Sequence, residues 1–290
     1  MHTRIHPRRL SALFLALLLV FSLSGCGGEI DAVPVPGAQE PYDGLEVTIF
    51  NAGKADAILL TTPSSAVLID CGGKNYGKTI LEELAARGIE RIDVLILSHF
   101  DRDHVGGAAV VIAGVEVDRV LQSNCPQDSG AMEKYLRSLR KTGLEPETVR
   151  ETLSFTLDGV LYTVDPPLRE SYDSDASNNS SLIVTVEHGD NRLVFMGDAG
   201  TARIAEYLAA SPAPCAFLKV PHHGQKEKLL DALLAALRPA YAAVTCSAQE
   251  PEASSTAKLL EASGATVFYT RLGAIRIRSD GKTLSAEYIT

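Results

Sequence analysis

The chain has 290 residues, of which 46% are hydrophobic, and a formal net charge of −9 at pH 7. It is long and apolar enough to bury the core of one large domain, although the length alone also allows two. Nucleic-acid binding normally relies on lysines and arginines that neutralise phosphates, so this acidic balance argues against tight, sequence-independent binding of a DNA duplex.

The first 25 residues have the composition of a secretory signal peptide. Three arginines precede the apolar run Leu10–Leu23, and Ser-Gly-Cys26 follows it. With about 14 residues the run is shorter than the ~20 that a membrane-spanning helix needs, which favours a cleaved leader over an anchor. The segment ending in Cys26 resembles a bacterial lipobox, in which the cysteine thiol carries the lipid and the chain is cut before it. Removing residues 1–25 removes three arginines and no acidic residue, so the formal net charge changes from −9 to −12.

A lipidated Cys26 implies that the protein is secreted across the cytoplasmic membrane and lipid-anchored to the outer face of the cell envelope. Residues 27–43 are rich in proline, glycine and acidic side chains, without periodicity, which is typical of a flexible tether. We therefore expect three parts: a signal peptide (1–25), the lipidated cysteine with its tether (26–43), and a folded domain (44–290).

The folded part alternates strands with helices. Apolar runs predict the strands, and apolar residues at helical spacing predict the helices. Up to residue 164 the predicted elements are strands 45–50, 57–60 and 66–69, helix 78–87, strand 93–97, helix 108–113, strand 117–121, a helix across 130–141, and strands near 148–153 and 160–164.

Residues 165–180 are predicted to form a polar loop, after which the alternation resumes. The elements that follow are strands 182–186 and 193–196, helix 202–209, strand 216–220, helix 226–237, strand 241–245, helix 253–262, strand 267–269, and a hairpin of 274–278 with 284–288. Strands alternating with helices in two halves predict an α/β (α+β) domain of two packed sheets with helices outside.

The densest group of candidate ligands follows the predicted strand 93–97. Residues 98–107 read SHFDRDHVGG, and the loop leaving the buried strand carries His99, Asp101, Asp103 and His104. Two carboxylates and two imidazoles this close together are costly to bury unless a cation compensates, and a divalent metal is the usual solution. The alternative is a solvated acidic loop with two incidental histidines.

Candidate ligands recur after two later predicted strands. Asp198 follows strand 193–196, while His222 and His223 follow strand 216–220. This recurrence favours a metal centre over chance. Adjacent histidines rarely bind the same ion, so the sequence leaves open which of the two is the ligand.

The segment 99–107 resembles the HxHxDH signature of the metallo-β-lactamase superfamily, in the HxDxDH form of the extracellular domain of ComEC-type DNA-uptake proteins. Other stretches resemble the same branch over roughly residues 44–282: 51–58 its VGQGDAI segment, 67–73 its LIDGG, 179–182 its NxxSL, and 218–224 its LKVPHHGS. The resemblance implies the four-layer αβ/βα metallo-β-lactamase sandwich and a centre with two divalent ions, Zn²⁺ or Mn²⁺.

The resemblance also implies roles for individual residues. The first ion would be held by His99, Asp101 and a bridging Asp198. The second would be held by Asp103, His104, Asp198 and one of the two histidines His222 and His223, with Asp103 also catalytic. Asp56, Asp70 and Asn179 would orient these ligands from behind, although Asp70 by itself also suits a turn.

This sequence departs from the superfamily pattern in its ligand set. The superfamily has a third histidine near Ser177–Ser180, where this chain has none, and Asp101 stands where a histidine is usual. Because an Asp101 oxygen replaces a histidine nitrogen, the site of the first ion has more oxygen ligands, which shifts its metal preference from zinc toward manganese or magnesium.

Four cysteines besides Cys26 remain: Cys71, Cys125, Cys215 and Cys246. Outside the cytoplasm they allow three disulfide pairings, and single cysteines at strand ends are equally often small buried apolar residues. The sequence does not choose between these alternatives.

The function implied by the resemblance is a metal-dependent hydrolase, a ComEC-like phosphodiesterase or nuclease that uses a metal-bound hydroxide. Its expected partners are an anionic small molecule or a single-stranded nucleic acid as substrate and the membrane through the N-terminal lipid, without tight duplex DNA binding. Lys54 and Lys219 are candidates to hold an anionic substrate. The alternatives are a lactone or thioester metallohydrolase and a non-catalytic envelope lipoprotein that binds a partner.

Overall fold

The computed structural model describes residues 42–125 and 129–289. The predicted signal peptide, Cys26 and nearly all of the tether lie outside this part of the chain. Within it, no helix is both long enough and apolar enough to cross a membrane. All four cysteines in the described part are free thiols.

The described part of the chain contains fifteen strands, eight α-helices and two short 3₁₀ helices, Pro221–Gly224 and Thr270–Leu272. The strands are β1 Leu45–Ile49, β2 Ala57–Thr61, β3 Ala66–Cys71, β4 Arg91–Leu97, β5 Glu116–Gln122, β6 Glu147–Thr148, β7 Leu153–Leu157, β8 Val160–Asp165, β9 Ile183–His188, β10 Asn191–Phe195, β11 Phe217–Lys219, β12 Tyr241–Val244, β13 Thr266–Tyr269, β14 Ile275–Ser279 and β15 Leu284–Tyr288. The helices are α1 Tyr76–Ala86, α2 Arg102–Val105, α3 Ala108–Gly114, α4 Gly130–Thr142, α5 Ala176–Asn179, α6 Thr201–Ala209, α7 Leu230–Leu237 and α8 Ser254–Ser263.

The strands form two mixed sheets. The first has the order β15-β14-β1-β2-β3-β4-β5-β6, and the second has the order β13-β12-β11-β10-β9-β8-β7. Each sheet has a parallel half, β3 to β6 in the first and β10 to β13 in the second, which is the arrangement that helical crossovers produce.

Three apolar clusters hold the layers together. The central cluster joins the inner faces of the two sheets and includes Ile58, Ile96, Phe195 and Phe217. One outer cluster packs the first sheet against α1, α3 and α4, and the other packs the second sheet against α6, α7 and α8. The predicted four-layer αβ/βα sandwich is therefore confirmed.

Most predicted elements are present, but three segments differ from the prediction. The strand predicted near 148–153 is wrong because β6 pairs in the first sheet and β7 in the second, so residues 149–152 cross from one sheet to the other. The loop 165–180 contains the short helix α5. The helix predicted from residue 226 begins only at Leu230, since Glu227 and Lys228 are held by hydrogen bonds to Thr201.

Strand register brings the candidate ligands to one edge of the molecule. Ile69 in β3 pairs with Ile96 in β4, which places the residues that follow both strands side by side. In the second sheet Phe195 of β10 pairs with Lys219 of β11, which pairs with Ala243 of β12. The carboxyl ends of β4, β10 and β11 therefore deliver the three predicted ligand segments to a common place.

Candidate metal centre

Four of the predicted ligands meet in one buried group, formed by Asp103, His104, Asp198 and His223, whose ligand atoms all lie within 4.8 Å of one another. The Oδ2 atom of Asp198 lies 3.2 Å from the Nε2 atom of His104 and 2.9 Å from that of His223. His223 Nε2 is also 3.4 Å from Asp103 Oδ2. Three loops that are distant in sequence thus direct nitrogen and oxygen donors at one point.

Local backbone conformation aims these side chains. His104 lies in the four-residue helix α2, directly after β4. His222 and His223 both have left-handed backbone angles, with φ of 49° and 52°. Such angles cost about 1–3 kcal/mol per non-glycine residue and cluster at functional sites. They turn the two adjacent rings in different directions, so that only His223 joins the four-residue group.

His104 is oriented by a buried carboxylate. Its Nδ1 atom lies 2.7 Å from Asp70 Oδ2, and Asp70 also accepts hydrogen bonds from the backbone N–H (2.8 Å) and the hydroxyl (2.6 Å) of Ser98. When Nδ1–H donates to this carboxylate and the ring is neutral, the lone pair of His104 is on Nε2 and faces Asp198. This is how metal-binding histidines are usually held.

His223 is oriented by a longer chain of contacts. Its Nδ1 atom lies 2.9 Å from the carbonyl oxygen and 3.0 Å from the hydroxyl of Thr245. The Thr245 hydroxyl donates to Asp56 Oδ1 over 2.6 Å, and Asp56 Oδ2 pairs with the ammonium of Lys219 at 2.5 Å. Asp56 therefore lies behind the ligands, where the resemblance placed it.

Lys219 is not available to substrate. Its side chain is completely buried, and its ammonium also donates to the carbonyl oxygen of Gly197 over 2.8 Å. The expectation that it holds an anionic substrate is wrong, because its charge is already paired with Asp56 inside the protein. Its positive charge stabilises the buried Asp56 carboxylate, which accepts the hydrogen bond from the Thr245 hydroxyl.

His99 and Asp101 lie beside the four-residue group. The ring of His99 packs 4.1 Å from the ring of His104, between centroids, and its Nε2 atom lies 3.7 Å from Asp101 Oδ2. Ser177 donates a hydrogen bond to the other oxygen of Asp101 over 2.5 Å. Among the described residues, His99 Nε2 and Asp198 Oδ1 are buried without a hydrogen-bond partner. Two buried ligand atoms without hydrogen-bond partners at this place fit a bound cation.

The carboxylates and imidazoles of the four-residue group shift one another's pKa values. Burial lowers the pKa of His104, but the carboxylates of Asp198 and Asp70 outweigh burial and raise that pKa well above its usual value. Burial raises the pKa of Asp198, but His223 and His104 hold it well below its usual value. The pKa of Asp103 is also lowered, because the neighbouring His223 and His104 outweigh burial. Without a metal ion the imidazoles keep protons that a cation would displace.

His222 and Asn179 also lie outside the four-residue group, and neither contacts it in the predicted way. His222 directs its Nδ1 atom at Glu227 Oε1, 2.8 Å away. Asn179 makes no hydrogen bond to a candidate ligand: its amide oxygen accepts from the backbone N–H of Arg203 over 3.0 Å, so it binds the start of α6. Its neighbour Asn178 is the amide that contacts His222, with Nδ2 3.3 Å from Nε2.

Sequence reasoning missed Thr245, Ser177 and Glu227. Thr245 directly follows β12 at the same edge as the ligand loops, so its position at the end of the predicted strand 241–245 was an available signal. Ser177 lies where the superfamily has its third histidine, but its contact with Asp101 appears only in the folded chain. Glu227 lies in a segment without a recognisable pattern, and only the folded chain brings it to His222.

A family model described as the metallo-beta-lactamase superfamily matches residues 51–247. The chain is 28% identical to ComE operon protein 3 of Bacillus subtilis over 219 aligned residues, covering 69% of this chain and 28% of that protein. It is 26% identical to Recombination protein 2 of Haemophilus influenzae over 211 residues, covering 71% of this chain and 25% of that protein. The chain thus spans about a quarter of the length of these curated relatives.

Two solved structures resemble the fold. CmlA, a diiron beta-hydroxylase from Streptomyces venezuelae, has a TM-score of 0.55 at 16% identity, covering 83% of this chain and 55% of that chain. The metallo-beta-lactamase fold protein YhfI from Bacillus subtilis has a TM-score of 0.52 at 12% identity, covering 78% of this chain and 97% of that chain. At these identities the likeness shows the fold alone.

Proposed function

The chain belongs to the metallo-beta-lactamase superfamily, and we propose that it is a metal-dependent phosphodiesterase acting on an anionic small molecule or a single-stranded nucleic acid. The observation that carries this proposal is the four-residue group of Asp103, His104, Asp198 and His223. Both of its histidines are fully buried, while the Asp103 side chain is 35% exposed. The group therefore combines buried donors with one face that a substrate can reach.

The donor set fits two divalent ions, Zn²⁺ or Mn²⁺. One would be held by Asp103, His104, Asp198 and His223, and the other by His99, Asp101 and Asp198. The buried His99 Nε2 and Asp198 Oδ1 atoms support this fit, since each lacks a hydrogen-bond partner within the described residues. When bound, such ions lower the pKa of a water molecule and stabilise negative charge that develops on oxygen.

Asp70 and Thr245 orient the ligands of this centre, and Asp103 contributes negative charge to it. Asp70 and Thr245 hold the imidazoles with Nε2 facing inward. The lowered pKa of Asp103 follows from its contacts with His223 and His104, which outweigh burial, and keeps this carboxylate ionised at neutral pH. We assign Asp103 as a ligand on the open side of the centre, because its Oδ2 atom lies 3.4 Å from His223 Nε2 and its side chain is 35% exposed. Asp101, 39% exposed, borders the same open side.

The substrate class rests on charge and on the curated relatives. Those relatives are named for the ComE operon and for recombination, which supports a nucleic acid as the substrate. The formal charge of −12 that remains without residues 1–25 disfavours a long duplex, because the ions would offset the field only locally. A single strand or a small phosphodiester fits better. We place the folded domain (44–290) outside the cytoplasm, anchored through lipidated Cys26 and its tether.

The test is metal content together with Mn²⁺- or Zn²⁺-stimulated hydrolysis of bis-p-nitrophenyl phosphate and single-stranded DNA. We expect two ions at the centre together with turnover, and we expect turnover to be lost in Asp103→Ala and His104→Ala. His188→Ala is the matched control, because His188 pairs with Ser279 away from the centre. Absence of metal and turnover in the unmodified protein would contradict the proposal, whereas turnover on a lactone or thioester alone would change the substrate class.

A further inference from the structure

A second group of metal-ligating side chains lies beside the candidate metal centre. Asp175, His222 and Glu227 offer ligand atoms that all lie within 4.8 Å of one another. Ligands bound to one Zn²⁺ or Mn²⁺ ion at about 2.0–2.2 Å lie at comparable distances from each other. The group contains no residue of the four-residue group, because the left-handed angles of His222 and His223 turn the two rings apart.

The carboxylate of Glu227 orients His222 in the way that metal-binding histidines usually are oriented. The Thr201 hydroxyl donates to its Oε2 atom over 2.7 Å and itself accepts from the backbone N–H of Lys228 over 3.2 Å. This leaves Oε1 facing His222 Nδ1 at 2.8 Å. One oxygen of Glu227 is thus fixed by Thr201 and the other holds Nδ1, so Nε2 is the ring nitrogen directed at Asn178.

An amide with an orphaned oxygen completes the group. Asn178 is 8% exposed, and its Nδ2 atom lies 2.8 Å from Asp175 Oδ1 and 3.3 Å from His222 Nε2. Its Oδ1 atom is buried and has no hydrogen-bond partner within residues 42–125 and 129–289. The two ends of an amide are nearly isosteric, so turning it over brings the oxygen to face Asp175 Oδ1 and His222 Nε2, and these three atoms can then bind one ion.

We propose that Asp175, His222 through its Nε2 atom, and the amide oxygen of Asn178 bind a divalent cation separate from those of the four-residue group, with Glu227 holding the Nδ1 side of the His222 ring. One imidazole nitrogen among carboxylate and amide oxygens suits Zn²⁺ or Mn²⁺ rather than a softer metal. The site goes beyond the proposed function, because it requires neither turnover nor a particular substrate.

The ion has a structural consequence for the neighbouring centre. Asn178 and Ser177 are adjacent in α5, and Ser177 donates to Asp101 over 2.5 Å. A cation that holds Asn178 and Asp175 therefore fixes α5, and through Ser177 it holds Asp101 in place. Its loss is expected to loosen Asp101 without removing any donor of the four-residue group.

The experiment counts bound ions. The purified full chain is stripped with a chelator, titrated with Mn²⁺, and its bound ions are counted by elemental analysis and by electron paramagnetic resonance. Asp175→Asn/Glu227→Gln keeps the shape of both side chains, and we expect it to bind one ion fewer per chain than the unmodified protein. The matched control Asp173→Asn, an exposed carboxylate two residues away, should bind the full number.

A second comparison separates this site from the proposed function. In His104→Ala/Asp198→Asn, which impairs the four-residue group, one ion should remain and should be lost when Glu227→Gln is added. Should the Asp175→Asn/Glu227→Gln variant not fold, Glu227→Gln alone supplies the same count. An unchanged number and affinity of ions in the Glu227→Gln variants would overturn the site, whether or not the protein hydrolyses phosphodiesters.

Discussion

Replacing Asp70 by asparagine tests whether the orientation of His104 sets metal affinity. Asp70 is fully buried and its backbone is left-handed, with φ of 58°. Asparagine tolerates such angles well, so the substitution should leave the backbone in place. Its remaining oxygen would keep the hydrogen bond from the Ser98 backbone, and its amide group would replace the oxygen that now faces His104 Nδ1 at 2.7 Å.

The amide donates where the carboxylate accepted. His104 Nδ1 must then lose its proton, and the proton moves to Nε2, the atom that faces Asp198 at 3.2 Å. A protonated Nε2 cannot bind a metal ion. Loss of such an outer partner typically weakens metal binding about 10–100-fold. That range corresponds to about 1.4–2.7 kcal/mol of binding free energy.

The assay is a competitive Zn²⁺ titration against a chromophoric chelator, with turnover measured at saturating metal. Asp93→Asn is the matched control, because Asp93 also accepts two hydrogen bonds, from Ala66 and Arg91, but contacts no candidate ligand. We expect weaker Zn²⁺ binding only in Asp70→Asn. An affinity within twofold of the unmodified protein would refute the idea that Asp70 fixes the proton position of His104.

Three further outcomes follow from the same contacts. Thr245→Val removes the hydroxyl that donates to Asp56, so the free energy of unfolding in urea should fall by about 1–3 kcal/mol; an unchanged midpoint and slope would argue against this contact. Lys219→Met leaves Asp56 buried without its cation, and the expected loss in the same assay is larger, about 3–5 kcal/mol, so that a loss below that of Thr245→Val would contradict the pairing. The pKa values of His104 and His223 are raised because neighbouring carboxylates, Asp198 above all, outweigh burial, so adding Zn²⁺ to the stripped protein at pH 6.5 should release protons and the affinity should fall as the pH falls. Calorimetry in buffers of different ionisation enthalpy would detect no released protons if both imidazoles were already neutral.

The sequence by itself determined the elements and the ligand segments. Strong apolar periodicity identified most strands and helices, and the placement of His99, Asp101, Asp103 and His104 after a buried strand indicated a metal site without any structure. This motif can be recognised in the sequence because all four residues lie within six consecutive positions. Recurrence of ligand types after two later strands predicted that the site is shared between loops.

Only the tertiary structure decided which donors meet. The adjacent residues His222 and His223 have identical side chains, and their separation depends on two left-handed backbone angles that no pattern encodes. Asn178 and Asn179 are likewise indistinguishable in sequence, yet one contacts His222 and the other binds the start of α6. The pairing of Lys219 with Asp56 joins residues far apart in the chain, because strand register in two different sheets brings them together. These contacts join residues that are far apart in the sequence and meet only when the sheets pack. Apolar periodicity, in contrast, indicates only the local secondary structure of each segment.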